Sequence, residues 1–386
     1  MTETLAPTNT LLGNPAAVKR AFETGGMSLV RGFRNFLNDV RYNRGLPSQS
    51  TRGDFEVGRT LATTPGAVIH RNEVCEIIQY RPSTEKTFSR PLLVIPPQIN
   101  KFYFLDLSKG RSLVEYALAG GLPLYLISWR NPTAEQRAWN LDTYVKAVED
   151  AAEVACEVAG SPDLNVLGLC AGGITTLAAL SHLAATGSHK VHSATLAVTM
   201  IDTKVPSMAG MFDAKPLLKL AAFRSRAKGF ISGRDMGSMF TWMRPNDLVW
   251  NYWVNNYLLG NKPPVFDLLY WNSDSTRLPA GLHCDFLEIM QKNSLAEPNG
   301  MKVRGTELDL GPIDCDLYLL AASDDHLVAW QSAYRLTQLA SGSVEFVLSN
   351  SGHIQGLVNP PSNTKAQFFS NPNLDRTQPF GSTPRP

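Results

Sequence analysis

From about residue 67 the chain alternates short apolar runs with stretches of helical periodicity. The runs at 91–95 (PLLVI) and 122–129 (LPLYLISW) are short and almost continuously apolar, and they predict buried strands. A long helix follows, with Leu141, Tyr144, Val145, Val148, Ala151, Ala152 and Ala155 on one side. Next come a strand at 165–169, a glycine-flanked turn, a helix over about 174–185 and a strand at 191–199. Strands alternating with helices of this length predict βαβ units and a mainly parallel sheet. Between about 204 and 311 the alternation stops, and Trp242, Trp250, Trp253 and Trp271 appear among Asn, Tyr, Phe and Leu. That stretch predicts a helical cap inserted between two sheet strands. The sheet pattern resumes with a strand at 315–322, a helix over about 329–339 and a strand at 344–348.

The two ends differ from this core. Residues 1–60 mix prolines, glycines and charge, with one helix expected over 27–41, where Leu29, Phe33, Phe36, Leu37 and Val40 lie near helical spacing among Arg31, Arg34 and Arg41. An amphipathic helix docked on the domain explains it, with a surface anchor as the alternative. The expected division is an N-terminal helical and irregular segment at 1–60 and sheet core at 61–203. The cap follows at 204–311, then the rest of the core at 312–361 and a disordered tail at 362–386. The uncharged stretch 164–189 is too polar and glycine-rich for a membrane span, and a strand, a tight turn and a buried helix account for it.

Composition narrows the function classes. At 44% hydrophobic and 18% charged, the 386 residues belong to a globular chain. A formal net charge of +2 argues against a cationic nucleic-acid binder. The five cysteines form no C-x-x-C pair and suit neither a disulfide framework nor a zinc site, which fits a reducing cytoplasm. There is no basic start followed by an apolar run, as a secretory signal would need, and no phosphate-binding or dinucleotide glycine motif. No metal or cofactor is expected.

The chemistry concentrates at Gly168-Leu169-Cys170-Ala171-Gly172-Gly173, the G-x-S-x-G nucleophile-elbow pattern with cysteine in place of serine. A nucleophile held between strand and helix sits in a strained turn, so small residues two before and two after it avoid clashes. The helix that follows points its N-terminus at the site, favouring a thiolate and any oxyanion beside it. A lone cysteine is more often a small buried hydrophobe, and Cys75, Cys156, Cys284 and Cys315 are read that way.

In this fold the acid and then the histidine follow the nucleophile in the chain. His353 in the loop after the last strand is the candidate base. Asp325 is the candidate orienting acid, with Asp324 as the alternative. His326 directly follows the acid and keeps a direct role open against simple loop packing. The segment 95–101 follows the strand where such enzymes keep their second oxyanion donor. A backbone N–H there, such as that of Ile99, would pair with that of Ala171; a proline-stiffened structural loop is the alternative.

With these residues in view, the chain resembles a polyhydroxyalkanoate synthase of the single-subunit type. The resemblance rests on LVIPPQINKFYFLDL (93–107), SWRNP (128–132), GLCAGG (168–173) and WMRPNDLVWNYWVNNYLLG (242–260). LLYWNSDSTRLP (268–279), DDHLVAW (324–330) and SGHIQGLVNPP (351–361) complete it. It implies an α/β-hydrolase fold with an inserted helical cap, a nucleophile at Cys170, an acid at Asp325 and a base at His353. It also implies (R)-3-hydroxyacyl-coenzyme A as substrate, a growing polyester chain, homodimers, and attachment to polyester granules in the cytoplasm. Compared with such synthases, most of the N-terminal domain and the C-terminal end are expected to be missing. A cysteine hydrolase of the same fold acting on thioesters or lactones, and an inactive granule-binding remnant, are the rival readings.

Overall fold

The computed structural model describes residues 6–51, 53–206 and 215–371, which fall into two compact units. The smaller comprises 1–61 and 234–275. Its first helix, α1 (Pro15–Glu23), starts at Asn14, whose Oδ1 accepts the Ala17 N–H, with proline in the first turn where its missing N–H costs nothing. Gly25 and Gly26 carry the chain at positive φ into α2 (Met27–Asn43). One face of α2 packs on a helical stretch built from two π-type segments, Asn246–Trp250 and Val254–Leu258, around the short α segment Asn251–Trp253. Phe36 meets Trp253 and Tyr257 edge-on, with centroids 6.4 and 5.4 Å apart. The Asp39 carboxylate is buried there and accepts from the Ser48 hydroxyl, the Ser48 N–H and the Tyr257 hydroxyl. Three donors offset the desolvation of that charge.

The larger unit, 62–233 and 276–386, carries a nine-stranded sheet. Its strands are β1 (Gly66–Arg71), β2 (Cys75–Tyr80), β3 (Leu92–Ile95), β4 (Leu124–Trp129) and β5 (Leu164–Leu169). β6 (Val191–Ala197), β7 (Asp316–Ala322), β8 (Val344–Ser349) and β9 (Phe368–Ser370) complete it. The order is β1-β2-β4-β3-β5-β6-β7-β8-β9, with β4 through β8 parallel and β1, β2 and β9 antiparallel. This is the α/β-hydrolase fold. The crossover carrying α3 (Leu113–Ala119) leaves β3 to one side, and the β4 crossover carrying α4 (Leu141–Ala159) returns to the other. Reversal of winding at β3 opens a crevice at the carboxyl ends of β3 and β5, where open sheets of this kind hold ligands. No helix among the described residues is long and apolar enough to cross a membrane, and 164–189 is a strand, a turn and a buried helix.

Several expectations need correction. The antiparallel strands β1 and β2 escaped the sequence reading, because β1 is largely exposed and lacks an apolar run. The helix expected over 329–339 is divided into Trp330–Tyr334 and Leu336–Leu339. The expected cap, 204–311, does not coincide with one compact unit. Its middle, 234–275, groups with 1–61, because α2 supplies the surface on which its aromatic run packs. Its ends group with the sheet. Arg304 there pairs with Glu149 of α4 at 3.4 Å, and Thr306 bonds His182 at 3.0 Å. Of the tail expected to be disordered, 362–386, the part through 371 includes β9, while 372–386 lie outside the described residues.

At Gly32, a Cβ would lie 1.8 Å from the Tyr257 carbonyl oxygen. Overpacking of this kind costs about 1–3 kcal/mol. Gly32→Ala is expected to lower the urea unfolding midpoint accordingly; an unchanged midpoint would show that α2 can move away freely.

Candidate active site

Cys170 follows β5 and begins the helix α5 (Ala171–Ala185) at φ 52° and ψ −120°, a region that L-residues seldom occupy. Such a conformation costs about 1–3 kcal/mol and persists only where its surroundings over-determine it. Here they do. The Cys170 N–H donates to the Ala197 carbonyl on β6 at 3.0 Å. A Cβ on Gly168 would approach Thr176 Oγ1 to 2.4 Å, one on Gly172 the Ile95 carbonyl oxygen to 2.3 Å, and one on Gly173 Thr199 Oγ1 to 1.9 Å. The small residues expected at two before and two after the cysteine are therefore sterically required. Gly173 is a third such position that sequence reasoning did not weigh; only the doubled glycine could have signalled it.

The histidine loop follows β8 and the acid loop follows β7, which places both at the same edge of the sheet as Cys170. His353 Nδ1–H donates to Asp325 Oδ2 at 2.6 Å. Both side chains are almost fully enclosed, at 4% and 1% exposure. Asp325 Oδ1 accepts the N–H groups of Leu327 and Val328, so both carboxylate oxygens are committed and the side chain is fixed. Asp324, the alternative acid, is exposed, and its backbone N–H bonds the Ser351 carbonyl. His326 is half-buried in the same turn.

With Nδ1 committed to Asp325, Nε2 is the nitrogen left to meet the Cys170 sulfur. It is buried and has no hydrogen-bond partner among the described residues. Burial by itself pushes the imidazole pKa down. The charge of Cys170, the hydrogen bond to Asp325 and the charge of Asp325 together reverse this and hold it well above the usual histidine value. The arrangement favours a proton on the imidazole and leaves Nε2 turned away from Asp325.

Ala171 occupies the first turn of α5 beside the sulfur. The end of β3 and the loop after it approach the same helix end, where a Cβ on Gly172 would meet the Ile95 and Pro96 carbonyl oxygens. Trp129 Nε1 donates to the Pro96 carbonyl at 2.8 Å, and Gln98 Nε2 to Thr175 Oγ1 at 2.9 Å. Thr276 secures the rest, its N–H on the Ile99 carbonyl at 3.1 Å and its hydroxyl on the Gln98 carbonyl at 2.5 Å. Both residues lie within the sequence motifs at 93–107 and 268–279, but nothing in those motifs marked Thr276 or Gln98 as a brace. The His353 loop has its own brace: Asn350 bonds the Lys365 carbonyl and the Gln367 N–H, and Asn359 bonds the Ser351 hydroxyl.

Two family descriptions match this chain: the N-terminus of poly-beta-hydroxybutyrate polymerase over residues 1–117, and the alpha/beta hydrolase fold over 91–360. Poly(3-hydroxyalkanoate) polymerase 1 of Ectopseudomonas oleovorans is 52% identical over 370 residues, 96% of this chain and 66% of that one. A poly(3-hydroxyalkanoate) polymerase subunit of Cupriavidus necator is 40% identical over 96% of this chain and 64% of its own length. The chain thus spans about two thirds of these relatives. Among solved structures, a hydrolase from Pseudomonas aeruginosa aligns with a TM-score of 0.48 and 13% identity, over 79% of this chain and 95% of that one.

The electrostatic pairing makes a signed prediction. Cys170 is one of the groups that favour the imidazolium, so the His353 titration followed by NMR should move to lower pH in Cys170→Ala than in the unaltered chain. An unmoved titration would mean that the sulfur does not interact with the ring.

Proposed function

Because the chain belongs to the alpha/beta hydrolase fold family, and two polymerase relatives match 96% of it at 52% and 40% identity, we propose that it is an acyltransferase. It would polymerise (R)-3-hydroxyacyl-coenzyme A into a polyester with release of coenzyme A. The observation that carries this reading is the enclosed Asp325–His353 pair beside Cys170.

His353 takes the proton of Cys170, and the thiolate attacks the carbonyl carbon of the substrate thioester. As the carbon–sulfur bond to coenzyme A breaks, His353 returns the proton to the leaving thiolate, and the acyl group stays on Cys170. The N–H of Ala171 and a second from the loop holding Ile99 bind the oxyanion; one such donor is typically worth about 2.7–4 kcal/mol in the transition state. Next, the 3-hydroxyl of another acyl unit gives its proton to His353, which Asp325 orients. Its oxygen attacks the acyl carbon on sulfur, an ester bond forms, and the Cys170 thiolate is released. Exchange between two thioesters is nearly balanced in energy, a chemical reason for sulfur rather than oxygen at this position. The reading needs no cofactor or metal. It takes the active form as a homodimer and its place as the polyester granule surface in the cytoplasm, with no nucleic-acid partner.

The test is incubation with 3-hydroxybutyryl-coenzyme A, following thiol release and turbidity together. Insoluble polyester is expected; free hydroxy acid with no polymer would assign a hydrolase, and no thiol release would favour an inactive remnant. Cys170→Ala should reduce thiol release by at least about 10³-fold, and release at the unaltered rate would refute the nucleophile.

Asp325→Asn leaves His353 without its anionic partner. If Asp325 orients the base, both thiol release and polymer growth should fall. If it acts on the 3-hydroxyl alone, a single thiol equivalent should still be released while growth stops.

A further inference from the structure

The helix α2 has more apolar surface than its packing uses. Its inward face carries Ser28, Gly32 and Asp39, all buried. Its outward face presents Met27, Val30, Phe33, Leu37 and Val40, each 50–62% exposed, at spacings of three, three, four and three residues. Phe22 at the end of α1 adds a ring that is 83% exposed. Such a continuous exposed stripe marks an interaction surface rather than the scattered apolar residues any protein shows.

Alongside the stripe runs a cationic row, Arg31, Arg34 and Arg41, all exposed. Over 15–44 there are six basic residues and two acidic ones, and one of the acids, Asp39, is buried. The whole chain carries only +2, so positive charge is concentrated on this helical pair.

We infer that the outer face of α1 and α2 binds an anionic phospholipid surface, the apolar stripe entering the acyl boundary and the arginines meeting the headgroups. Charge complementarity selects this occupant. A second copy of the chain fits poorly, since a two-fold contact would set one arginine row against the other. A 17-residue helix is about 25 Å long. Arginine stems can lie along the apolar face while their heads stay at the headgroup level.

The experiment is co-sedimentation of the full chain with vesicles of phosphatidylglycerol mixed with phosphatidylcholine, and with vesicles of phosphatidylcholine alone. Binding to the anionic vesicles should be at least tenfold tighter and should weaken at ~0.5 M salt, where the screening length is a few ångströms. The triple variant Val30→Ser, Phe33→Ser, Leu37→Ser should lose binding at every salt concentration. Arg31→Gln with Arg34→Gln and Arg41→Gln should lose only the preference for anionic lipid. All six side chains are exposed, so both variants should keep the unaltered thermal midpoint; if the first does not fold, the second still decides. Equal binding to neutral vesicles, no binding to either, or self-association abolished by the apolar variant without vesicle binding would each overturn the inference.

Discussion

Cys170 occupies a backbone conformation that costs free energy, and much of the larger unit is arranged so that this conformation is the lowest available. The turn is held from four directions: β6 accepts its N–H, Thr176 abuts Gly168, the β3 carbonyl end abuts Gly172, and Thr199 abuts Gly173. The three contacts at glycine leave no room for a side chain. The strain aims the sulfur outward from the end of β5 while α5 presents its N-terminal N–H groups to the same point. α5 is buried along most of its length, so the helix cannot rotate to relieve the turn.

The imidazole depends on a different balance. A histidine buried this deeply would normally lose its proton, yet Asp325 and the sulfur together oppose that. Asp325 can do so because two backbone N–H groups hold its other oxygen, which makes it a fixed carboxylate rather than a mobile one. Removing one member of a buried, hydrogen-bonded charge pair costs far more than the pair itself contributes, since the remaining charge is left without compensation. The site is therefore coupled: backbone geometry in one loop sets the protonation of a ring in another.

The main sheet strands, the tight turn at Cys170 and the loops that carry Asp325 and His353 were legible in the sequence. Buried parallel strands carry continuous apolar runs, and a G-x-C-x-G between strand and helix has few physical explanations. Edge strands β1 and β9 were not legible, because an edge strand need bury little and carries no apolar signature. Pairing of 1–61 with 234–275 was equally hidden. It arises from long-range contacts such as that of Gly32 with Tyr257, and neither residue marks the other in the linear pattern.

The sequence by itself determined the fold class and the proposed nucleophile and base, Cys170 and His353, because local periodicity, a tight-turn motif and chain order are properties of short segments. Only the tertiary structure decided which of two adjacent aspartates faces His353, and that Thr276 and Trp129 hold the loop opposite the elbow. Those choices depend on where side chains meet in space. A one-residue difference such as Asp324 against Asp325 is settled by the direction each side chain leaves the turn, and composition and spacing do not encode it.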